Sequence, residues 1–329
     1  MHDATDHATD DERDPAAGLD RRAELSEFLR SRRARLQPRD VGLTPVGRHR
    51  RVPGLRREEL AQLAGVSVAY YTRLEQGNGR NVSTEVLDAI ARALRLTAAE
   101  HAHLTHLAKP QPQRRRNRAA ARRQQVRPEL GQLLESLDAV PAYVVGARSD
   151  ILAWNRMAAA LFGDWSRLPR AERNWARLTF LDPVSRELFV DWESKATDMV
   201  SYLRLYAGRN AEDPELSALV GELSVKSEEF RRLWATHDVK EKGHGVKRMR
   251  HPLVGDLGLA YETLHLPDDD GQSLVVYHAE PGSASSDALR LLASWGVGAG
   301  DVPGPPPAAG LAGDDSHAPE RGGRTDPGR

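Results

Sequence analysis

The chain of 329 residues contains no cysteine. That excludes disulfides, thiolate metal sites and thiol nucleophiles, and it fits a reducing compartment. Aromatic residues are few, at 5% of the chain, and lysine is scarce beside arginine. The arginine excess fits a GC-rich coding background as well as it fits any function. No apolar run approaches the roughly 18 residues that a membrane-spanning helix needs. The first residues are acidic and polar, so no signal peptide is expected and the cytoplasm is the expected location. We find no glycine-rich phosphate loop, HExxH, GxSxG or paired metal ligands. Catalytic residues, cofactors and metals are therefore not expected. His101, His103 and His106 do not share one helical face, and no Asp or Cys completes a ligand set, so they are expected at the surface.

What is present is length enough for two domains and a segregated charge. The formal net charge is zero, but residues 20–127 carry +14, residues 1–19 carry −5 and residues 128–329 carry −9. A basic block joined to an acidic one suits a phosphate-binding head with a separate partner domain.

Within the basic block lies LRREELAQLAGVSVAYYTRLEQG, residues 55–77. Two short amphipathic helices meet at Gly65-Val66-Ser67, the spacing of a helix-turn-helix. Leu60, Ala61 and Ala64 fall inward on the first helix, expected over 57–64. Gly65 suits the left-handed end of that helix. Ser67 caps the second, expected over 68–76. Tyr71 and Leu74 face inward, which leaves Val68, Ala69, Thr72 and Arg73 on the outward stripe. A first helix is expected near 22–36. Ser83 caps a fourth helix, and Thr97 with Glu100 forms a capping box for a fifth. The loop before the motif carries Arg48, Arg50 and Arg51, suited to a DNA backbone. Together these make one compact all-α domain over residues 20–108.

Residues 1–19 form an acidic tail without an apolar face, and 109–127 an arginine-rich linker. The second domain is expected over 128–297. It opens with a short amphipathic helix, then a hairpin of strands at 141–146 and 151–154, with Asn155 capping the next helix. A helical region follows over 170–235, interrupted at Asp182-Pro183 and Asp213-Pro214. Strands near 245–251, 257–266 and 273–279 and a closing helix at 287–295 complete an α+β domain with its helices on one side. Residues 298–329 are rich in Pro, Gly and Ala, as disordered tails are.

The helix-turn-helix phrase and the following VLDAIARALRL resemble the XRE-family, lambda-repressor-like DNA-binding domains. The phrases PAYVVGARSDILAWNRMAAALF, LRLYAGRNAEDPEL, EEFRRLW, HPLVGDLGLAYETL and SLVVYHAEPGSAS resemble, in that order, the MmyB-like ligand-binding domain of bacterial transcription regulators. The resemblance implies a lambda-repressor-like domain followed by a PAS-like α+β domain. It also implies a double-stranded DNA partner, usually engaged as a homodimer, and a small-molecule effector, with fatty acids as candidates. By the resemblance, Arg57 and Ser67 meet phosphates, as Tyr70 does through its hydroxyl. Val68, Ala69, Thr72 and Arg73 face base edges, where Arg73 is the side chain able to pair bidentately with guanine. Arg33 and Glu75 match a pair that bridges the first helix to the recognition helix. Tyr143, Trp154, Asn155, Arg204, Tyr206, His251 and Tyr261 are the candidate pocket residues, with Arg204 suited to a carboxylate. The alternative for the second domain is a protein-interaction module without a ligand.

Overall fold

The computed structural model describes residues 20–43, 54–79, 82–109, 125–267 and 271–295. Arg48, Arg50 and Arg51, both tails and most of the linker lie outside the described residues.

The N-terminal domain contains α1 (Arg21–Arg35), α2 (Arg57–Ala64), α3 (Val68–Glu75), α4 (Thr84–Ala93) and α5 (Ala98–Ala108). Its punctuation follows local chemistry. Gly65 ends α2 at φ 66°, and its N–H and that of Val66 return to the carbonyls of Gln62 and Ala61 at 3.2 and 3.0 Å. No side chain would be crowded at Gly65, so the left-handed backbone alone selects glycine. The Ser67 hydroxyl accepts from the Tyr70 N–H at 3.1 Å, satisfying a backbone donor that a helix start otherwise leaves open. At α5, Thr97 and Glu100 exchange hydrogen bonds of 3.3 and 2.8 Å. One core holds the helices together, with Phe28, Leu60, Tyr71, Leu87, Ile90 and Leu104 fully buried.

The second domain begins with α6 (Pro128–Ser136), then β1 (Ala142–Val145), β2 (Ile151–Trp154) and α7 (Arg156–Phe162). Four helices follow: α8 (Trp175–Leu181), α9 (Pro183–Leu188), α10 (Trp192–Arg209) and α11 (Pro214–Lys226). After α12 (Glu228–Trp234) come β3 (Gly245–His251), β4 (Gly255–His265), β5 (Ser273–His278) and α13 (Ala284–Trp295). All pairings are antiparallel and the strand order is β2-β1-β5-β4-β3, the PAS-like arrangement.

The helices do not all lie on one side. Every residue of β1 is buried. Tyr143 and Val145 face the main helical layer, while Ala142 and Val144 meet Leu130 and Leu134 of α6 on the other face. A strand apolar at consecutive positions needs both faces covered, and α6 supplies the second cover.

The two domains touch. Helix α5 packs against α10, running beside its C-terminal part, and α1 reaches α10 through Glu24 at Arg204. His103 of α5 is fully buried there, not at the surface, with its ring edge-on to Phe28 at 5.0 Å. A Cβ built on Gly208 of α10 would stand 2.4 Å from His103 Nδ1. The close approach of the two helices therefore requires glycine at 208.

Candidate DNA-reading helix and ligand cavity

On α3 the outward stripe is open. Val68 is 46% exposed, Ala69 and Arg73 are exposed and Thr72 is half-buried, while Tyr71 and Leu74 close the core beneath them. Tyr70 is half-buried against that core. The docked second domain leaves this edge uncovered.

Glu75 anchors the reading helix from behind. It is 1% exposed and accepts from Arg33 Nε at 2.9 Å and from Arg33 Nη2 at 2.8 Å. The Arg33 Nη1 also donates to the Leu55 carbonyl at 2.7 Å. This planar fork ties α1, α3 and the chain entering α2 together. Arg57, expected at phosphates, donates its Nε to the same Glu75 at 3.1 Å with its side chain half-exposed. It therefore borders the exposed stripe of α3 while bound to the anchor.

The second domain holds a partly open cavity of about 50 Å³ between the sheet and α10. Alternate residues of three strands form its floor: Tyr143 and Val145 of β1, Tyr261 and Thr263 of β4, and Val275 and Tyr277 of β5. The register places Tyr143 opposite Val275 and Tyr261 opposite Tyr277, so one pleat face supplies them all. Lys195, Asp198, Met199 and Tyr202 of α10 form the roof at helical spacing. Ser149, Trp175, Lys242 and Lys247 close the sides.

Local structure fixes the wall at Ser149 and Trp175. Ser149 turns the β1–β2 hairpin at φ 69°, a left-handed conformation uncommon for a side-chain-bearing residue. Its carbonyl accepts from the Trp175 N–H at 2.9 Å. Asn174 caps α8 through the Ala176 N–H at 2.9 Å and donates its Nδ2 to the Arg148 carbonyl at 3.0 Å, clamping hairpin to helix.

The electrostatics are lopsided. Asp198 accepts from Lys240 Nζ at 2.6 Å and from Lys247 Nζ at 2.8 Å. Burial pushes its carboxyl up, but those two lysines outweigh burial and hold it below the usual range. Lys195 is 7% exposed, with its ammonium over the Trp175 ring at 4.4 Å. Burial, reinforced by Lys247 and opposed by Asp198, lowers it to about 7.

The structure brings two of the seven expected pocket residues, Tyr143 and Tyr261, to this cavity. Trp154 lies outside it, beneath Arg173 and edge-on to Trp165. Asn155 is spent as a cap: Oδ1 accepts from Ala158 and Ala142, and Nδ2 donates to the Leu137 and Val140 carbonyls. The Tyr206 hydroxyl donates to Asp213 at 3.0 Å, and His251 Nε2 meets the Ala160 carbonyl at 3.1 Å. Arg204 stands at the other end of α10, fully buried at the junction of the domains. There it contacts Glu24 of α1, lies 2.9 Å from His237 Nδ1 and stacks on Trp234 at 4.0 Å. Glu24, Glu27 and His237 gather three ligand-type atoms in the same place. The Arg204 guanidinium already holds the cation position on Glu24, so the cluster is an ion-pair junction.

The pocket lysines carry a signal that was legible but unused. The chain has 6 lysines against 41 arginines. Lys195, Lys242 and Lys247 line the cavity and Lys240 pairs with its one acid. Lysine is a compact charge whose protonation responds to burial, which arginine's does not.

Residues 126–292 match the MmyB-like transcription regulator ligand binding domain, and residues 24–104 match a helix-turn-helix domain. The chain belongs to the MmyB-like transcription regulators. None of the curated proteins compared with it matches. The MmyB-like chain is thus a DNA-binding regulator with a ligand-sensing domain. Among its described residues no helix is long and apolar enough to cross a membrane.

Proposed function

We propose that this MmyB-like regulator reads a specific duplex sequence with Val68, Ala69, Thr72 and Arg73 and reports the occupancy of the cavity to that reading head through α10. Arg57, Ser67 and Tyr70 flank the reading edge and contact phosphates, and the basic loop with Arg48, Arg50 and Arg51 adds to the backbone term. Two copies bind a near-palindromic site in the cytoplasm, on surfaces other than α1 and α5 where these meet α10.

The observation that carries this reading is the span of α10. Lys195, Asp198, Met199 and Tyr202 roof the cavity, while Arg204 and Gly208 of the same helix meet α1 and α5. From 195 to 208 is about 20 Å at the helical rise. A helix is stiff over that length, so a displacement at the cavity is felt at the domain junction. The cavity also favours displacement. Its volume of about 50 Å³ is well below the ~150 Å³ that accepts benzene. A fatty acid, the candidate effector, is larger than this volume, and lodging it there displaces the walls, α10 among them.

The test is selection of duplex DNA from a random library by the full chain, followed by anisotropy titration of the selected duplex with and without an organic extract of cells. An enriched two-half-site sequence whose affinity changes at least several-fold with the extract is the expected result. Failure to enrich any sequence removes the DNA-reading assignment. An unchanged affinity removes the sensor and leaves a protein-interaction module.

A further inference from the structure

Lys195 and Lys242 line the cavity, and among the described residues no carboxylate meets either at ion-pair distance. Lys195 makes only ring contacts, with Trp175 and Phe189. Lys242 feels the longer-range field of Asp150, which is itself paired with Arg148 at 3.4 Å. The lining carboxylate, Asp198, is taken by Lys240 and Lys247. Four lysines thus face one acid. Crowded, poorly solvated ammonium groups relieve themselves by giving up a proton. Lys195 is placed to do so: burial, then Lys247 and Lys242 against the pull of Asp198, lower it to about 7. About half of it is then a free amine at neutral pH, against roughly one in a thousand for an ordinary lysine. A desolvated neutral lysine is a nucleophile.

Two further observations concern what surrounds that amine. The Ser149 hydroxyl and the Trp175 indole N–H line the same cavity, are buried, and have no hydrogen-bond partner among the described residues. Such groups in native proteins call for an explanation. The space itself is small. About 50 Å³ holds a few water molecules, which is room for a three-atom gas without displacement of the walls.

We propose that Lys195 is a carbamylation site, whose amine takes up carbon dioxide and whose carbamate is held by Lys242, Lys247, the Ser149 hydroxyl and the Trp175 indole N–H. The Nζ lone pair forms a bond to the carbon of carbon dioxide. One C=O π pair moves onto its oxygen, and the nitrogen releases a proton to solvent. Nothing is oxidised or reduced, and the reverse step returns the amine and the gas. A cation is thereby replaced by an anion made from the chain itself. Its two oxygens offer about four lone-pair sites, enough for both orphaned donors and for Lys242, which lacks a carboxylate. The site lies in the cavity of the sensor reading but goes beyond that reading, since the reaction needs neither DNA nor an organic effector.

The experiment places the full chain in carbon-13 bicarbonate at pH 7.5, with a bicarbonate-free control. The carbon-13 NMR spectrum should show a carbamate signal that Lys195→Met removes. In parallel, triethyloxonium converts carbamates to stable ethyl esters, and peptide mass mapping covers all six lysines. Lys195 should carry the ester at least tenfold more than exposed Lys226, and only where bicarbonate was present. Lys242→Met and Ser149→Ala keep the amine and should each lower the carbamate at Lys195 several-fold. A carbamate placed at residue 195 by either readout supports the proposal, and it is overturned when neither places one there. Unchanged carbamate in both Lys242→Met and Ser149→Ala overturns the assigned partners. Should Lys195→Met not fold, the mapping decides by itself. No DNA enters these measurements, so the carbamate and the DNA-linked sensor can each fail alone.

Discussion

Replacing Gly208 by alanine sets two effects of opposite sign against each other. Inside a helix, Gly→Ala is ordinarily stabilising by about 0.5–1 kcal/mol, because glycine loses more backbone freedom on folding. At 208 the new methyl would stand 2.3 Å from His103 Cε1 and 2.4 Å from Nδ1. His103 cannot swing aside, since it is fully buried and edge-on to Phe28. Overpacking of this kind costs about 1–3 kcal/mol. The clash should win, so Gly208→Ala is expected to weaken the docking of α5 on α10. With His103→Ala in the background the clash is gone and only the helix gain remains. A double-mutant cycle of urea unfolding on the full chain should therefore show the two changes coupled by about 1–3 kcal/mol. Additive effects, or a plain stabilisation by Gly208→Ala that ignores residue 103, would refute the packing argument.

Three other outcomes are expected. Arg73→Ala should lose about 1–3 kcal/mol on the selected duplex and relax preference at one base pair, whereas an equal loss on random DNA assigns Arg73 to phosphate. Glu75→Ala strands the buried Arg33 guanidinium and should cost about 3–5 kcal/mol in chemical unfolding, with a loss below about 1 kcal/mol counting against the anchor. Acidification should separate the domains. Burial is the main cause that lowers His103 to about 3 and His237 to about 4. Arg32, His106, His237 and Arg209 add repulsion at His103. At His237, Arg204 and Arg32 repel while Glu27 and Asp238 oppose them. Both histidines are thus less basic when docked than when free, so the separated state takes up more protons below the ordinary pKa of about 6.5. Docking is complete above that pH and is lost as pH falls toward 4. Amide exchange in α5, corrected for its intrinsic pH dependence, should lose protection between pH 7.5 and 5.5, and unchanged protection would refute it.

The exposed stripe of α3 was legible because its information is local. Gly65, Ser67 and the spacing of Leu60, Ala64, Tyr71 and Leu74 lie within one short stretch, and each acts through its own turn of backbone. The strands were legible for the same reason, through a continuous apolar run in β1 and an alternation in β4 that sets Tyr261 on one face. Alternation cannot say what covers that face. The roof comes from α10 and the walls from the hairpin tip at Ser149 and from Trp175, remote in sequence and joined by chain closure. Residue type alone misled at three places. Arg204 has the right chemistry for a carboxylate, but burial at the domain junction commits it to Glu24 and His237. Asn155 has polar capacity, all of it consumed by backbone. His103 looked like one of three surface histidines until α10 was laid across it.

By itself, then, the sequence determined the caps, the turn, the strand faces and the division of charge, because these follow from contacts within a few residues. The tertiary structure alone decided which lysines enter the cavity wall and which helix runs from the cavity to the domain junction. Those depend on packing between segments whose separation along the chain leaves no periodic trace.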